Sequence, residues 1–350
     1  MSNNWINFIT ESGASYNEQQ EVCFNQSIKS LSDKLYLTDL SYLGLIQVTG
    51  DDKNTFLQGQ LTNDINLVND STSQLSGLCT PKGRLRALFS IFNHQQQLHL
   101  QLPQTLIEAN LKRLKMFVMM SKVELTNVSN ETIRIGIYGT SAEKALKEYG
   151  FDIPIEYNNS TQFKEMTLIR LADTPASTAT RFECIASIEE MKKLWQALSP
   201  EAQLLDSSHW RLLDIQSGIP NVFSQTNESF IPQMLNLQAL HAINFKKGCY
   251  TGQEVVARMQ YLGKLKRQMY IAHCDTTESA EPGQLLFSAS SKSGQGAGHI
   301  VDAQPNFDGG IDITAVITIE AIENNDIFLD EAMTIPLIIQ ELPYSFDNDE

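Results

Sequence analysis

Cys249 stands at the centre of Lys246-Lys247-Gly248-Cys249-Tyr250-Thr251-Gly252-Gln253-Glu254, the stretch whose residue types and spacing point to chemistry. A thiol set between two lysines and the start of a helix is in a setting that favours thiolate. Cys249 is therefore a candidate redox-active or cluster-contacting sulfur. Two glycines bracket it. Gly248 permits a positive φ or a close backbone approach. Gly252 suits the N-cap of a helix whose first turn carries Glu254, where the helix dipole favours negative charge. The plain alternative is a glycine turn entering an amphipathic helix, with Cys249 a small buried residue. The residues alone leave both readings open.

The remaining cysteines (Cys23, Cys79, Cys184, Cys274) make five in all, with no CxxC pair, and the six histidines are scattered. That pattern argues against a disulfide framework and a zinc knuckle, so no metal is expected. With 350 residues, 42% hydrophobic and 19% charged, the chain reads as an ordinary soluble protein of two or three domains. The N-terminus shows no basic region leading into an apolar run, and no stretch reaches the length of a membrane span. A cytoplasmic address, no membrane contact and a monomer are expected.

The net charge of −15 is unevenly placed. From Asp275 to Glu350 there are 15 acidic residues and a single base, Lys292, so this segment carries −14. By contrast Lys246, Lys247, Arg258, Lys264, Lys266 and Arg267 fall within 22 residues that hold one acid, Glu254. A second basic cluster is Lys112, Arg113, Lys115 and Lys122. Overall acidity argues against direct stable nucleic-acid binding, while a local basic excess suits a small anionic ligand.

Several elements must position the thiol. Gly44 to Gly50 reads as a strand ending in a glycine turn, followed by a short helix around Phe56 and Leu57. Leu75–Cys79 and Leu85–Phe92 form a hairpin about Pro81-Lys82-Gly83, and 98–102 is a further strand. A helix is predicted from Gln104 to Lys115. Strand 133–139, helix 142–149 closed by Gly150, strands 166–171 and 182–186, and helix 189–198 resemble a ferredoxin-like unit. Trp210 opens a helix to Gln216, and an irregular stretch, 230–237, leads into the cysteine loop. Ile311, Ile313, Ala315, Ile317 and Ile319 alternate strictly, so 264–350 reads as a separate β-barrel.

Lys-Gly-Cys-Tyr-Thr-Gly-Gln-Glu, Lys247 to Glu254, resembles the signature octapeptide of the YgfZ family, folate-binding proteins related to the glycine-cleavage aminomethyltransferase. Phe-Leu-Gln-Gly-Gln-Leu-Thr-Asn-Asp from Phe56, Phe-Ile-Pro-Gln-x-x-Asn-Leu-Gln-Ala-Leu from Phe230, and Leu342-Pro343-Tyr344-Ser345 are similar to the same family. The resemblance implies an α+β, three-domain aminomethyltransferase-like folate-binding fold with ferredoxin-like units and a C-terminal β-barrel around a central channel. The expected domains are 1–130 with 205–263, 131–204, and 264–350.

The resemblance also implies a tetrahydrofolate ligand, with contacts from Trp210, Tyr42, Leu43, Lys247, Gln253 and Arg258. Gly248, Tyr250, Gly252 and Glu254 would shape the signature loop. Its implied role is the assembly or repair of iron–sulfur enzymes, such as a tRNA thiomethyltransferase, and thereby tRNA modification. Two positions depart from the family pattern. Leu43, beside Tyr42, stands where a second tryptophan is usual. Arg86-Ala87 stands where true aminomethyltransferases carry an Asp–Asp pair, so a group that handles a proton is replaced by a fixed cation and a methyl. An accessory factor without aminomethyl transfer is expected. The alternatives are a folate-dependent one-carbon transferase, or an interaction protein with a vestigial pocket.

Overall fold

Period-two alternation builds most strands of the chain. The computed structural model describes residues 4–24, 28, 30, 31, 34–175, 177–289 and 296–346. The chain opens with α1 (Asn4–Glu11), short strands β1 (Ser15–Tyr16) and β2 (Val22–Cys23), β3 (Leu35–Asp39), β4 (Leu43–Thr49) and α2 (Lys53–Gln58). Next come β5 (Gln74–Cys79), β6 (Leu85–His94), β7 (Gln97–Pro103), α3 (Ile107–Val118) and β8 (Glu124–Asn127). The middle holds β9 (Thr132–Gly139), α4 (Ala142–Tyr149), β10 (Ser160–Phe163), β11 (Met166–Arg170), β12 (Thr180–Ser187), α5 (Ile188–Leu198) and β13 (Ala202–Leu204). It continues with α6 (Ser207–Gln216), α7 (Gln253–Leu262), β14 (Arg267–Cys274) and β15 (Leu285–Leu286). It closes with β16 (Gly298–Pro305), β17 (Ile311–Thr318), α8 (Ile319–Glu323) and β18 (Ile338–Gln340).

Packing divides the chain into two compact units. The first comprises Met1–Gln58, Ile65–Gln74 and Phe89–Trp210; the second Gly59–Asp64, Leu75–Leu88 and Arg211–Glu350. The predicted middle domain falls inside the first unit and the predicted C-terminal domain inside the second. The discontinuous N-terminal domain is shared between them.

In the first unit a six-stranded sheet runs β10-β11-β12-β9-β3-β13, antiparallel except where β13 joins β3. It contains the predicted strand–helix–strand–strand–helix order and adds β3 from the N-terminal segment. Alternation gives its two faces opposite characters. Ile133, Ile135 and Ile137 of β9, with Phe182, Cys184 and Ala186 of β12, face an apolar core. Helices α1, α4 and α5 close that core with Trp5, Ile9, Leu146, Leu194 and Trp195. Each large side chain so buried stabilises the fold by ~1.5–3 kcal/mol. Trp5 keeps its polar atom satisfied by donating Nε1–H to Asp39 Oδ1 at 2.6 Å. The alternate residues of the same strands, Arg134 and Gly136 on β9 and Arg181 and Glu183 on β12, share the other face. That face is buried as well. A second sheet in this unit orders β6-β7-β4-β8. Its helix α3 runs to Val118, beyond the predicted Lys115, and stops where Met119 takes φ 41°.

In the second unit β5 lies beside the first half of β6. The C-terminal strands order β15-β16-β17-β14-β18, all antiparallel, around Ile300, Ile313, Ala315 and Ile317. Single-residue bridges Phe287↔Phe328 and Phe328↔Pro336 carry the pairing from the β15 edge to the segment entering β18, so the sheet curls. Tyr344, of the terminal Leu-Pro-Tyr-Ser run, packs its ring where a Cβ on Gly218 would lie, 2.8 Å away. Its hydroxyl donates to Gly218 O at 2.9 Å and accepts from Asn236 Nδ2 at 3.2 Å.

Candidate functional site

The cysteine loop of the second unit is held at both ends by side chains. At its start Asn244 Oδ1 accepts the backbone N–H groups of Lys246 (2.8 Å) and Lys247 (2.9 Å), a local turn that reverses the chain. Lys247 then points inward. Its Nζ donates to Leu61 O at 2.6 Å and Asn63 O at 3.0 Å, and lies 5.2 Å from the Tyr250 ring. Burial lowers the Lys247 pKa to about 8, against the opposing pull of the Asp64 carboxylate.

The strand of chain that receives Lys247 is itself pinned. Thr62 Oγ1 donates to Ala242 O at 2.7 Å and accepts Gly77 N–H at 2.7 Å. Asn63 Nδ2 donates to Leu75 O (3.0 Å) and His241 O (2.7 Å). The Leu-Thr-Asn-Asp part of the N-terminal family string is thus the cradle of the signature loop.

At the loop's far end Gly252 is the N-cap of α7 with φ 86°, as the sequence predicts. A Cβ there would lie 2.4 Å from Thr80 O and 3.2 Å from Gly83 Cα. Gly83, the turn residue of the β5–β6 hairpin, has φ 70° and faces Val255, whose Cβ a side chain at Gly83 would meet at 2.8 Å. Two glycines therefore let the hairpin turn touch the first turn of α7. Gln253 Oε1 accepts Tyr250 N–H at 3.3 Å, and Gln233 Nε2 donates to Val256 O at 2.7 Å. Glu254 is exposed in the first turn.

Between these anchors Gly248 and Cys249 are exposed, while Lys247 and Tyr250 on either side are buried. The reading of Cys249 as a small buried residue is excluded. Gly248 shows neither positive φ nor a close approach: a Cβ there would meet nothing within 4 Å. The space beside the thiol is open. Of the two expected lysine neighbours only Lys246 is exposed; the Lys247 ammonium is committed to backbone carbonyls. Arg86, at the position of the missing carboxylate pair, forms an ion pair with Glu228 at 2.6 Å.

Trp210, Tyr42 and Leu43 belong to the first unit, whereas Lys247 to Arg258 belong to the second. Trp210 is 2% exposed. The Arg181 guanidinium lies 4.6 Å over its ring, and its benzo end rests on β9, where a Cβ on Gly136 would come within 2.6 Å. Indole and guanidinium so placed attract each other through the ring quadrupole. Tyr42 and Leu43 are buried too; Leu43 O accepts from the Arg134 guanidinium. On the same sheet face Glu183, 2% exposed, accepts from Gln101 Nε2 at 3.0 Å. Burial brings the Arg134 pKa down to about 10, against the pull of Glu183 and Asp39. These buried ionic groups were not anticipated. The signal available was charged residues alternating with Ile and Phe in strands that otherwise read as core.

Among the described residues no group of three or more His, Cys, Asp or Glu side chains is placed to hold a metal ion. No helix among them is long and apolar enough to cross a membrane.

Comparison with known proteins follows the same lines. The family model of the GCVT N-terminal domain matches residues 7–218. The tRNA-modifying protein YgfZ of Yersinia pestis (strain Pestoides F) is 31% identical over 322 residues, covering 90% of this chain and 94% of that protein. Its namesake in Yersinia enterocolitica is 30% identical with the same coverage. In fold the chain is similar to the glycine cleavage system aminomethyltransferase T of Bartonella henselae, with TM-score 0.74, 96% of each chain covered and 14% identity. An aminomethyltransferase-like fold that carries the Lys-Gly-Cys-Tyr-Thr-Gly-Gln-Glu loop, with such relatives along nine-tenths of its length, belongs to the YgfZ family.

Proposed function

We propose that the chain binds a reduced folate without transferring an aminomethyl group. In this reading its exposed Cys249 thiol supports iron–sulfur enzymes that modify tRNA by thiomethylation. The observation that carries this reading is the loop itself. Two buried neighbours, a glycine N-cap and a cradle of backbone carbonyls hold a thiol outward with open space at Gly248. A nucleophilic or cluster-contacting sulfur needs that presentation, and a structural cysteine does not.

The chemistry of the buried polar face in the first unit fits a folate. A carboxylate such as Glu183 is the group that pairs with the N–H groups of an aminopyrimidinone edge, and Arg181, beside it on β12, lies over the Trp210 ring. Trp210, with one face under Arg181, would lie beside such a ligand. Folate would supply a reduced pteridine ring, and this chain's residues would bind and orient it. Arg86, tied to Glu228, offers no base for an amine, which favours binding over transfer.

The test pairs Cys249→Ser with Trp210→Phe. Cys249→Ser should keep the parent's melting temperature and folate affinity, yet fail to restore tRNA thiomethylation in a deletion strain. Full restoration removes the thiol from the mechanism. Tetrahydrofolate should quench tryptophan emission in the parent and not in Trp210→Phe. Glycine-cleavage turnover with methylenetetrahydrofolate, ammonia and a lipoyl carrier would instead establish the one-carbon transferase.

A further inference from the structure

The basic run around the cysteine loop does more than flank a small ligand. Lys246, Arg258, Lys264 and Lys266 are all exposed, and among the described residues none of them forms an ion pair. Tyr261 is 69% exposed, although its ring is steadied by Phe245, edge to face at 6.1 Å. That aromatic contact folds the chain just before Lys246 back onto the C-terminal end of α7. Loop and helix end therefore form one surface, with Lys246 next to Phe245 and Lys264 three residues beyond Tyr261 in sequence. Leu262, 84% exposed, adds an apolar face beside it.

Uncompensated cations around an exposed aromatic ring match a phosphodiester backbone whose bases are free to stack. Of the −15 net charge, −14 lies in Asp275 to Glu350, while the strip itself is a run of cations broken by one acid, Glu254. An acidic protein surface would satisfy the cations through carboxylates, whereas the outward Tyr261 ring offers a flat face on which a base can stack. We infer that Lys246, Arg258, Tyr261, Lys264 and Lys266 form a contact surface for single-stranded RNA, with Tyr261 as the stacking platform for one base. The contact is transient and salt-sensitive, and it goes beyond the folate reading without resting on it.

The experiment follows anisotropy of a fluorescein-labelled unstructured RNA of about 20 nucleotides with the full chain, without folate. Binding is expected at about 50 mM salt and should weaken linearly in log–log form. The double variant Lys264→Glu/Lys266→Glu should bind about tenfold or more weakly. Its salt slope should be shallower by about 1.4, two phosphates at ~0.7 each. Tyr261→Ala should lose about tenfold with the slope unchanged, and Tyr261→Phe should restore binding. Lys112→Glu/Lys115→Glu, in the other basic cluster, should bind like the parent.

No binding at that salt overturns the inference, as does loss in the Lys112/Lys115 variant in place of the strip variants. Absent RNA binding combined with failure of the strip variant to restore tRNA modification would overturn it in favour of an acidic protein partner. Cys249→Ser should bind RNA normally, so this surface and the thiol's role fail independently.

Discussion

Replacing Lys247 by Met tests whether an inward ammonium fixes the loop that presents the thiol. The substitution keeps the apolar stem and removes the hydrogen bonds to Leu61 O (2.6 Å) and Asn63 O (3.0 Å). Bonds from a charged donor contribute ~1.5–3 kcal/mol each, a gross loss of ~3–6 kcal/mol. Burial already disfavours this ammonium, as its pKa of about 8 records, so deleting the charge returns part of that loss. A net destabilisation of about 2 kcal/mol is expected near neutral pH.

The pH dependence carries a definite sign. The folded pKa of Lys247 lies below its ordinary value of 10.5, so between about 8 and 10.5 the unfolded chain binds more protons. The parent must therefore gain stability relative to Lys247→Met as pH rises through that window. Urea denaturation of both proteins at neutral pH and at about pH 9.5 reads both effects, and hydrogen exchange of the 246–250 amides reports the loop directly. Equal midpoints at neutral pH, or a gap that closes on going alkaline, would refute the anchoring role.

Three further outcomes follow from the packing. Alkylation of the native protein should modify Cys249 first and Cys23 more slowly, and should reach Cys79, Cys184 and Cys274 only on unfolding; peptide mapping after brief treatment decides this. Burial also pushes the Cys79 and Cys274 thiols up to about 12, so raising the pH moderately should not bring either of them into reaction. Gly136→Ala drives a methyl to within 2.6 Å of the Trp210 ring and 2.8 Å of Thr38 Cγ2. It should cost about 1–3 kcal/mol and shift tryptophan emission, and an unperturbed spectrum would place the indole elsewhere. Tyr344→Phe removes the bonds to Gly218 O and from Asn236 Nδ2, for about 1–2 kcal/mol in the thermal midpoint; no change would make the terminal motif dispensable.

Much of the architecture is legible along the chain because its signals are local. Gly150 closes α4, donating its N–H to Leu146 O and Lys147 O as a helix-ending glycine does. Ile311 to Ile317 alternate into β17, and Gly252 caps α7. Less legible were helix ends and the role of the N-terminal segment. Trp5 and Ile9 of α1 complete the core of a sheet most of whose strands, β9 to β13, follow more than a hundred residues later. Nothing in a polar stretch around them announces that partner.

The amino-acid order by itself determined many of the elements, the signature loop, the basic strip and the loss of the carboxylate pair at Arg86-Ala87. Only the tertiary structure decided which way the adjacent side chains of that loop turn. Lys247 meets Leu61 O from 186 residues away and goes in, while Cys249, two positions on, goes out. It likewise decided that Trp210 lies buried between Arg181 and Gly136. Local pattern sets backbone conformation through short-range sterics and periodicity. The direction and burial of a side chain depend on groups that folding brings from far along the chain, and no spacing within the loop encodes them.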